Sequence, residues 1–123
     1  MQTKSHGLGT QLTIDYFPLY GRAEPLRQLL FHAEVPYKEN AISFEKWADH
    51  KQDTDLYPTG ALPVVTIRGE RMCETMSILR FLAVKLTDAG KAEYYPKTTE
   101  LQWQCNSIMD GYSSLMNLSA EVV

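Results

Sequence analysis

The sequence predicts an α/β fold: a mixed four-stranded sheet covered by helices over residues 11–87, then a linker and one more long helix. Three patterns predict it. Short alternating runs with β-branched residues interleave with apolar runs of helical period. The first strand–helix–strand unit joins two parallel strands by a crossover. A glycine-centred hairpin then joins two antiparallel ones.

Each element follows from its residues. "QLTIDYF" alternates apolar and polar side chains and contains Thr13 and Ile14, so it reads as a strand. Pro18 ends it, since a strand interior has no use for a residue without an N–H. "RAEPLRQLLFHAE" places Leu26, Leu29, Leu30 and Ala33 on one helix face, with Pro25 in the tolerant first turn. "VPYKENAIS" is a weaker second strand after a turn at Pro36, and "FEKWADHKQ" a short helix or irregular segment. "DTDLYPTGA" is dense in turn formers and forms a loop. "LPVVTIRGERM" gives a strand over residues 64–67, a turn around Arg68, Gly69 and Glu70, and a short return strand. "TMSILRFLAVKL" is strongly periodic, with Ile78, Leu79, Leu82, Ala83 and Leu86 apolar. "TDAGKAEYYPK" is a linker.

From about Thr98 onward, Leu101, Ile108, Leu115 and Val122 recur at heptad spacing, with Cys105 and Tyr112 between them. Trp103, Met109 and Met116 widen the apolar face. A single helix cannot bury such a face alone. The expectation is a fragment of a longer protein, or a helix that packs on something else.

Composition narrows the function. The chain has 123 residues, 44% of them hydrophobic and 22% charged, with a net charge of -3. This is an ordinary globular balance. Mild acidity argues against nucleic acid, whose binders usually carry a basic patch. No apolar run approaches the ~20 residues that span a bilayer. The opening "MQTKSHGLGTQ" has neither the apolar core of a secretory signal nor an Arg-rich transit pattern. Residues 1–10 read as a flexible tail, and the protein as cytoplasmic. Cys73 and Cys105 form no CxxC pair, and His6, His32 and His50 are scattered, so no metal is expected.

Four stretches, "DYFPLYGRAEPLRQLL", "FEKWADHK", "TGALPVVTI" and "ETMSILRFLA", stand in order across most of residues 12–86. Together they resemble the N-terminal, thioredoxin-like domain of cytosolic glutathione transferases, nearest the Tyr-type classes such as sigma. The resemblance implies a glutathione-binding domain over residues 11–87, a linker over 88–97, and over 98–123 the first helix of a truncated all-helical domain. It also implies a homodimer or a subunit of a larger complex, with glutathione as co-substrate and a small apolar electrophile as acceptor.

Taken alone, Tyr16 is an ordinary strand aromatic with its hydroxyl at the sheet end. In the resembled family, the matching Tyr donates its hydroxyl hydrogen to the glutathione sulfur. A hydrogen bond to the charged form favours the thiolate, which is the nucleophile. Arg22 would add positive charge near the sulfur, and Phe17 would pack beside Tyr16. Tyr20 falls where the family varies, and would be a bystander or a wall of the second-substrate pocket. The resemblance assigns Trp47 and Lys51 to the glycine end of glutathione. The bland reading of the pair is a helix anchor and a surface charge. Leu62 and Pro63 match the family's cis-proline loop, where Leu62 would pair with the cysteinyl backbone like an added strand. A plain trans proline opening a strand is the alternative.

Thr75 opens a helix whose N-terminus suits a carboxylate, here the γ-glutamyl one, and Glu74 would face the α-ammonium. An N-cap Thr beside an exposed acid is the simpler reading.

The chain departs from the family pattern in several places. "ET" replaces the Gln-Ser of many Tyr-type members, and the turn-rich loop is slightly longer. Ala61 stands where several members carry Lys or Gln. Ser113 and Ser114, with Asp110 a turn earlier, stand where a partner subunit's Asp often completes the γ-glutamyl site. The competing expectation, raised by the absent helical domain and the wide apolar face of the last helix, is a non-catalytic module of the same fold acting as a structural or interaction subunit.

Overall fold

A computed structural model describes residues 6–122, with side chains through residue 119. The chain runs β1 (Leu12–Tyr16), a 3-10 turn (Gly21–Ala23), α1 (Glu24–His32), β2 (Lys38–Ala41), α2 (Phe44–His50), β3 (Val64–Ile67), β4 (Glu70–Cys73), α3 (Thr75–Asp88) and α4 (Thr99–Val122). The sheet order is β2-β1-β3-β4. β1 and β2 are parallel, and the other pairs are antiparallel. This is the mixed four-stranded, thioredoxin-like sheet that the sequence predicts.

Local differences have local causes. The helical pattern begins at Arg22, yet the α-helix begins at Glu24. The Glu24 N–H bonds back to Gly21 O, because Pro25 has no N–H to offer that carbonyl. The hairpin turn is Arg68–Gly69 alone, both at positive φ (53° and 83°), as a two-residue connection demands. β2 is an exposed edge strand of four residues, shorter than its sequence run. α2 is helical, capped by the Ser43 hydroxyl accepting from Lys46 N–H at 3.2 Å. It buries none of its residues.

Alternation along β1 sorts the sheet faces. Leu12, Ile14 and Tyr16 join Leu26, Leu30, Ile78, Leu82 and Leu86 in the core. α1 and α3 pack together over that side. Leu8 belongs to this core and is fully buried. The flexible tail expected over residues 1–10 therefore needs correction at Leu8: an apolar side chain there gains more by burial than it loses in chain freedom. Residues 1–5 of that stretch lie outside the described residues.

α4 carries two apolar stripes. Cys105, Met109, Tyr112 and Met116 are half-buried. The predicted heptad stripe faces outward, with Leu101 48%, Ile108 74% and Leu115 62% exposed. Val122 of that stripe lies outside the described side chains. Among the described residues, no helix is long and apolar enough to cross a membrane.

Leu8→Ala should cost about 2 kcal/mol of stability, read as a lower melting temperature. An unchanged melting curve would place Leu8 outside the core in solution.

Candidate active site

Tyr16 ends the central strand β1. Its ring is buried and its carbonyl accepts the Ile42 N–H at 2.8 Å. Its hydroxyl oxygen accepts the backbone N–H of Arg22 at 2.8 Å. That bond occupies a lone pair and leaves the hydroxyl proton to donate elsewhere. Gly21 permits the approach. It sits at φ +43°, and a Cβ there would lie 2.2 Å from the Tyr16 hydroxyl. The Arg22 side chain donates to Asn117 Oδ1 at 3.0 Å and so ties the turn to α4.

Tyr20 turns outward, 78% exposed. It borders, with Tyr16 and Phe17, an open cavity of about 490 Å³ on the β2 side. Arg27 closes that side, paired with Glu24 and Glu39, its guanidinium carbon 5.8 Å from the Tyr16 ring centre.

A second cavity of about 550 Å³ collects Arg22, Leu62, Pro63, Glu74 and Thr75. These five come from three separate parts of the chain. The Leu62–Pro63 peptide bond is cis. Glu74 has φ 72° and ψ 107°, a conformation rare for any residue but glycine. Such strain persists only where the surroundings impose it. Glu74 stands directly before α3, so Thr75 is the first helical residue and not the cap. The Glu74 side chain makes no capping bond, and the first turn (Thr75, Met76, Ser77) lines the cavity. That turn offers N–H groups and the positive end of the helix dipole.

Tyr16, Phe17, Trp47 and Lys51 are not on this cavity's wall. Tyr16 reaches its rim through the bond to Arg22. Phe17, Trp47 and Tyr57 form an aromatic ladder. Phe17 lies 5.4 Å from Tyr16 and stacks on Phe44 at 4.5 Å. Trp47 meets Phe17 edge-on at 6.1 Å and Tyr57 at 4.9 Å. Lys51 is exposed at the end of α2, its N–H bonded to Trp47 O at 2.9 Å.

The opposite wall belongs to α4, through Asp110, Tyr112, Ser113 and Asn117. The sequence reading treats Tyr112 as packing, and does not single out Asn117 or Arg80. The available signal was a polar face at positions 110, 113 and 117 of an otherwise apolar helix. Burial, and then the neighbouring Tyr16, push the Tyr112 hydroxyl up from its ordinary value. Arg80 donates to Asn106 Oδ1 at 2.8 Å and lies 3.9 Å from Asp110. The wall thus carries both signs, Arg22 and Arg80 against Glu74 and Asp110. A ligand bearing both carboxylate and ammonium groups matches that balance. Among the described residues, no group of three His, Cys, Asp or Glu is placed to hold a metal ion.

The family model for the N-terminal domain of glutathione S-transferase matches residues 12–84. Glutathione S-transferase 4 of Caenorhabditis elegans is 37% identical over 97 residues, 79% of this chain and 42% of the relative. A Nu-class glutathione S-transferase structure from Haemonchus contortus superposes with a TM-score of 0.71 at 28% identity, covering 87% of this chain and 48% of the other. A sigma-class structure from Fasciola hepatica gives a TM-score of 0.57 at 30% identity, over 63% of this chain and 38% of the other. The chain spans less than half the length of these relatives. By the family match over its folded sheet, the chain belongs to the glutathione S-transferase family and carries its N-terminal, thioredoxin-like domain.

Proposed function

We propose that the protein is a glutathione transferase that binds glutathione in the 550 Å³ cavity and presents it as a thiolate. The observation that carries this reading is the convergence of the Leu62–Pro63 loop, Glu74 and the open first turn of α3 on one cavity wall. The γ-glutamyl carboxylate is assigned to the first turn of α3 and the Thr75 hydroxyl, with the α-ammonium on Glu74. The cysteinyl backbone pairs with that of Leu62. Trp47 and Lys51 take the glycine carboxylate at the outer end.

Tyr16 supplies the chemistry. The Arg22 N–H already satisfies its oxygen, so its proton is free for the sulfur. A hydrogen bond to a charged acceptor is worth about 1.5–3 kcal/mol. That brings half-ionisation of the bound thiol from about 8.5 to roughly 7. Arg22 adds positive charge nearby. The thiolate lone pair then forms the new C–S bond to a small apolar electrophile, and the electrophile's leaving group departs or its adduct takes a proton from water. In this reading residues 11–87 are the glutathione-binding unit, 88–97 the linker, and the stretch from 98 onward begins a helical unit. Cytoplasmic location fits this chemistry, since glutathione is a cytosolic reductant.

The exposed stripe Leu101, Ile108 and Leu115 favours a second reading. In it the protein is a non-catalytic subunit, a homodimer or part of a larger complex, built on the same fold.

Millimolar glutathione should raise the melting temperature of the protein, because it binds the folded state alone. No shift would remove the glutathione reading and leave the scaffold. Tyr16→Phe should keep glutathione affinity close to that of wild type. It should move the pH midpoint of thiolate absorbance in the complex upward by roughly one to two pH units. A midpoint unmoved by that change would dismiss Tyr16 as the thiol's partner. Gly21→Ala should also abolish thiolate formation near pH 7, since its Cβ takes the place of the hydroxyl. A Gly21→Ala complex that still absorbs as thiolate would show the close approach to be incidental.

A further inference from the structure

Asp15 is the one buried charged side chain among the described residues, 4% exposed. It lies in the middle of the sheet, paired with Asn40 on one side and Val64 on the other. A carboxylate so placed is costly unless paired and hydrogen-bonded. Arg71, on the edge strand β4, reaches across Thr66 of β3 to meet it, Nη2 to Oδ2 at 3.1 Å.

The same guanidinium does more than neutralise Asp15. Its Nε donates to Leu56 O at 2.7 Å and its Nη1 to Thr66 Oγ1 at 3.2 Å. Its central carbon stands 5.1 Å from the ring centre of Tyr57. The Tyr57 hydroxyl in turn points at Asp15 Oδ2, at 3.5 Å. One planar group thus grips the backbone at Leu56, the ring at Tyr57 and the sheet at Asp15 and Thr66. Only a forked, five-donor cation can serve these directions together.

What it grips is the loop between α2 and β3. That loop also buries Tyr57 and Leu62 in the core, and its hydrogen bonds apart from those of Arg71 include its own turns: Asp53 Oδ1 accepts from Asp55 and Leu56 N–H, and Asp53 O accepts from Tyr57 N–H. Those bonds shape the loop but do not dock it. Docked, the loop delivers Leu62 to the cavity five residues downstream of Tyr57, and Tyr57 supports Trp47 edge-on at 4.9 Å. Burial, and then the charge of Asp15, push the Tyr57 hydroxyl up, so it stays a donor through the neutral range.

We propose that Arg71, seated on Asp15, is a positioning residue for glutathione: it docks the Leu56–Tyr57 segment on the sheet and so sets the placement of Leu62 and Trp47. The inference rests on the glutathione reading of the cavity. It differs from ordinary charge pairing, which needs a cation beside Asp15 and no grip on the loop.

Arg71→Lys separates the two, since it keeps the cation and loses the fork. The expected result is a melting temperature without ligand near that of wild type and glutathione affinity lowered roughly three- to tenfold. Backbone amides of the loop over residues 56–62 should exchange faster, while those of β3 keep their protection. The double variant Asp15→Asn with Arg71→Gln removes the charge pair without leaving a lone buried ion, and should show the same loss of affinity. Wild-type affinity and loop protection in Arg71→Lys would overturn the inference while leaving the glutathione reading intact. A wild-type protein that binds no glutathione would defeat both.

Discussion

The alternation of β1 sends Ile14 to one face of the sheet and Asp15 to the other, with Tyr16 at the end. Because β1 has a strand on each side, its register sets that of the whole sheet. Ile14, fully buried, pins it from the helix side. Slipping by one residue would bury Asp15 among the leucines of α1 and α3 and turn Ile14 toward the loop. That penalty holds Tyr16 at the point where the chain leaves the sheet. The turn at Gly21 then brings an amide back onto its hydroxyl.

The two sides of β1 work differently. The helix side is apolar and depends on close packing, which many sequences achieve. The loop side depends on directional contacts: one carboxylate, one guanidinium and a row of aromatic rings from Tyr57 to Phe17. Packing forces hold a surface without specifying the orientation of a loop. Hydrogen bonds to a backbone carbonyl specify direction. It is fitting that the segment leading to Leu62 is held by the second kind of contact.

α4 shows how one helix can meet two requirements. Its half-buried stripe and the polar positions 110, 113 and 117 close the cavity against α3. Its outward stripe, Leu101, Ile108 and Leu115, is exposed among the described residues. A heptad count finds the most regular apolar repeat, and here that repeat is the one facing away. Which stripe packs inward depends on where α3 and the linker put the helix axis, which periodicity along α4 does not encode.

Local pattern was enough for the element order and the sheet type, because strand alternation, helical period, proline and glycine each act within a few residues. Tyr16, Trp47, Pro63 and Thr75 became candidates only through the resemblance of their four stretches taken together, because each of them alone has an ordinary packing or capping reading. Leu8 in the core was not legible, since nothing near it marks a strand or helix. Nor was the pairing of Asp15 with Arg71, 56 residues apart. Each looks like an ordinary surface charge until β3 sets their strands two places apart. The separation of Tyr16 and Trp47 from the cavity of Glu74 and Thr75 was likewise decided in three dimensions. Distances between side chains depend on how the sheet, the loop and α4 pack, and packing joins residues that the sequence keeps far apart.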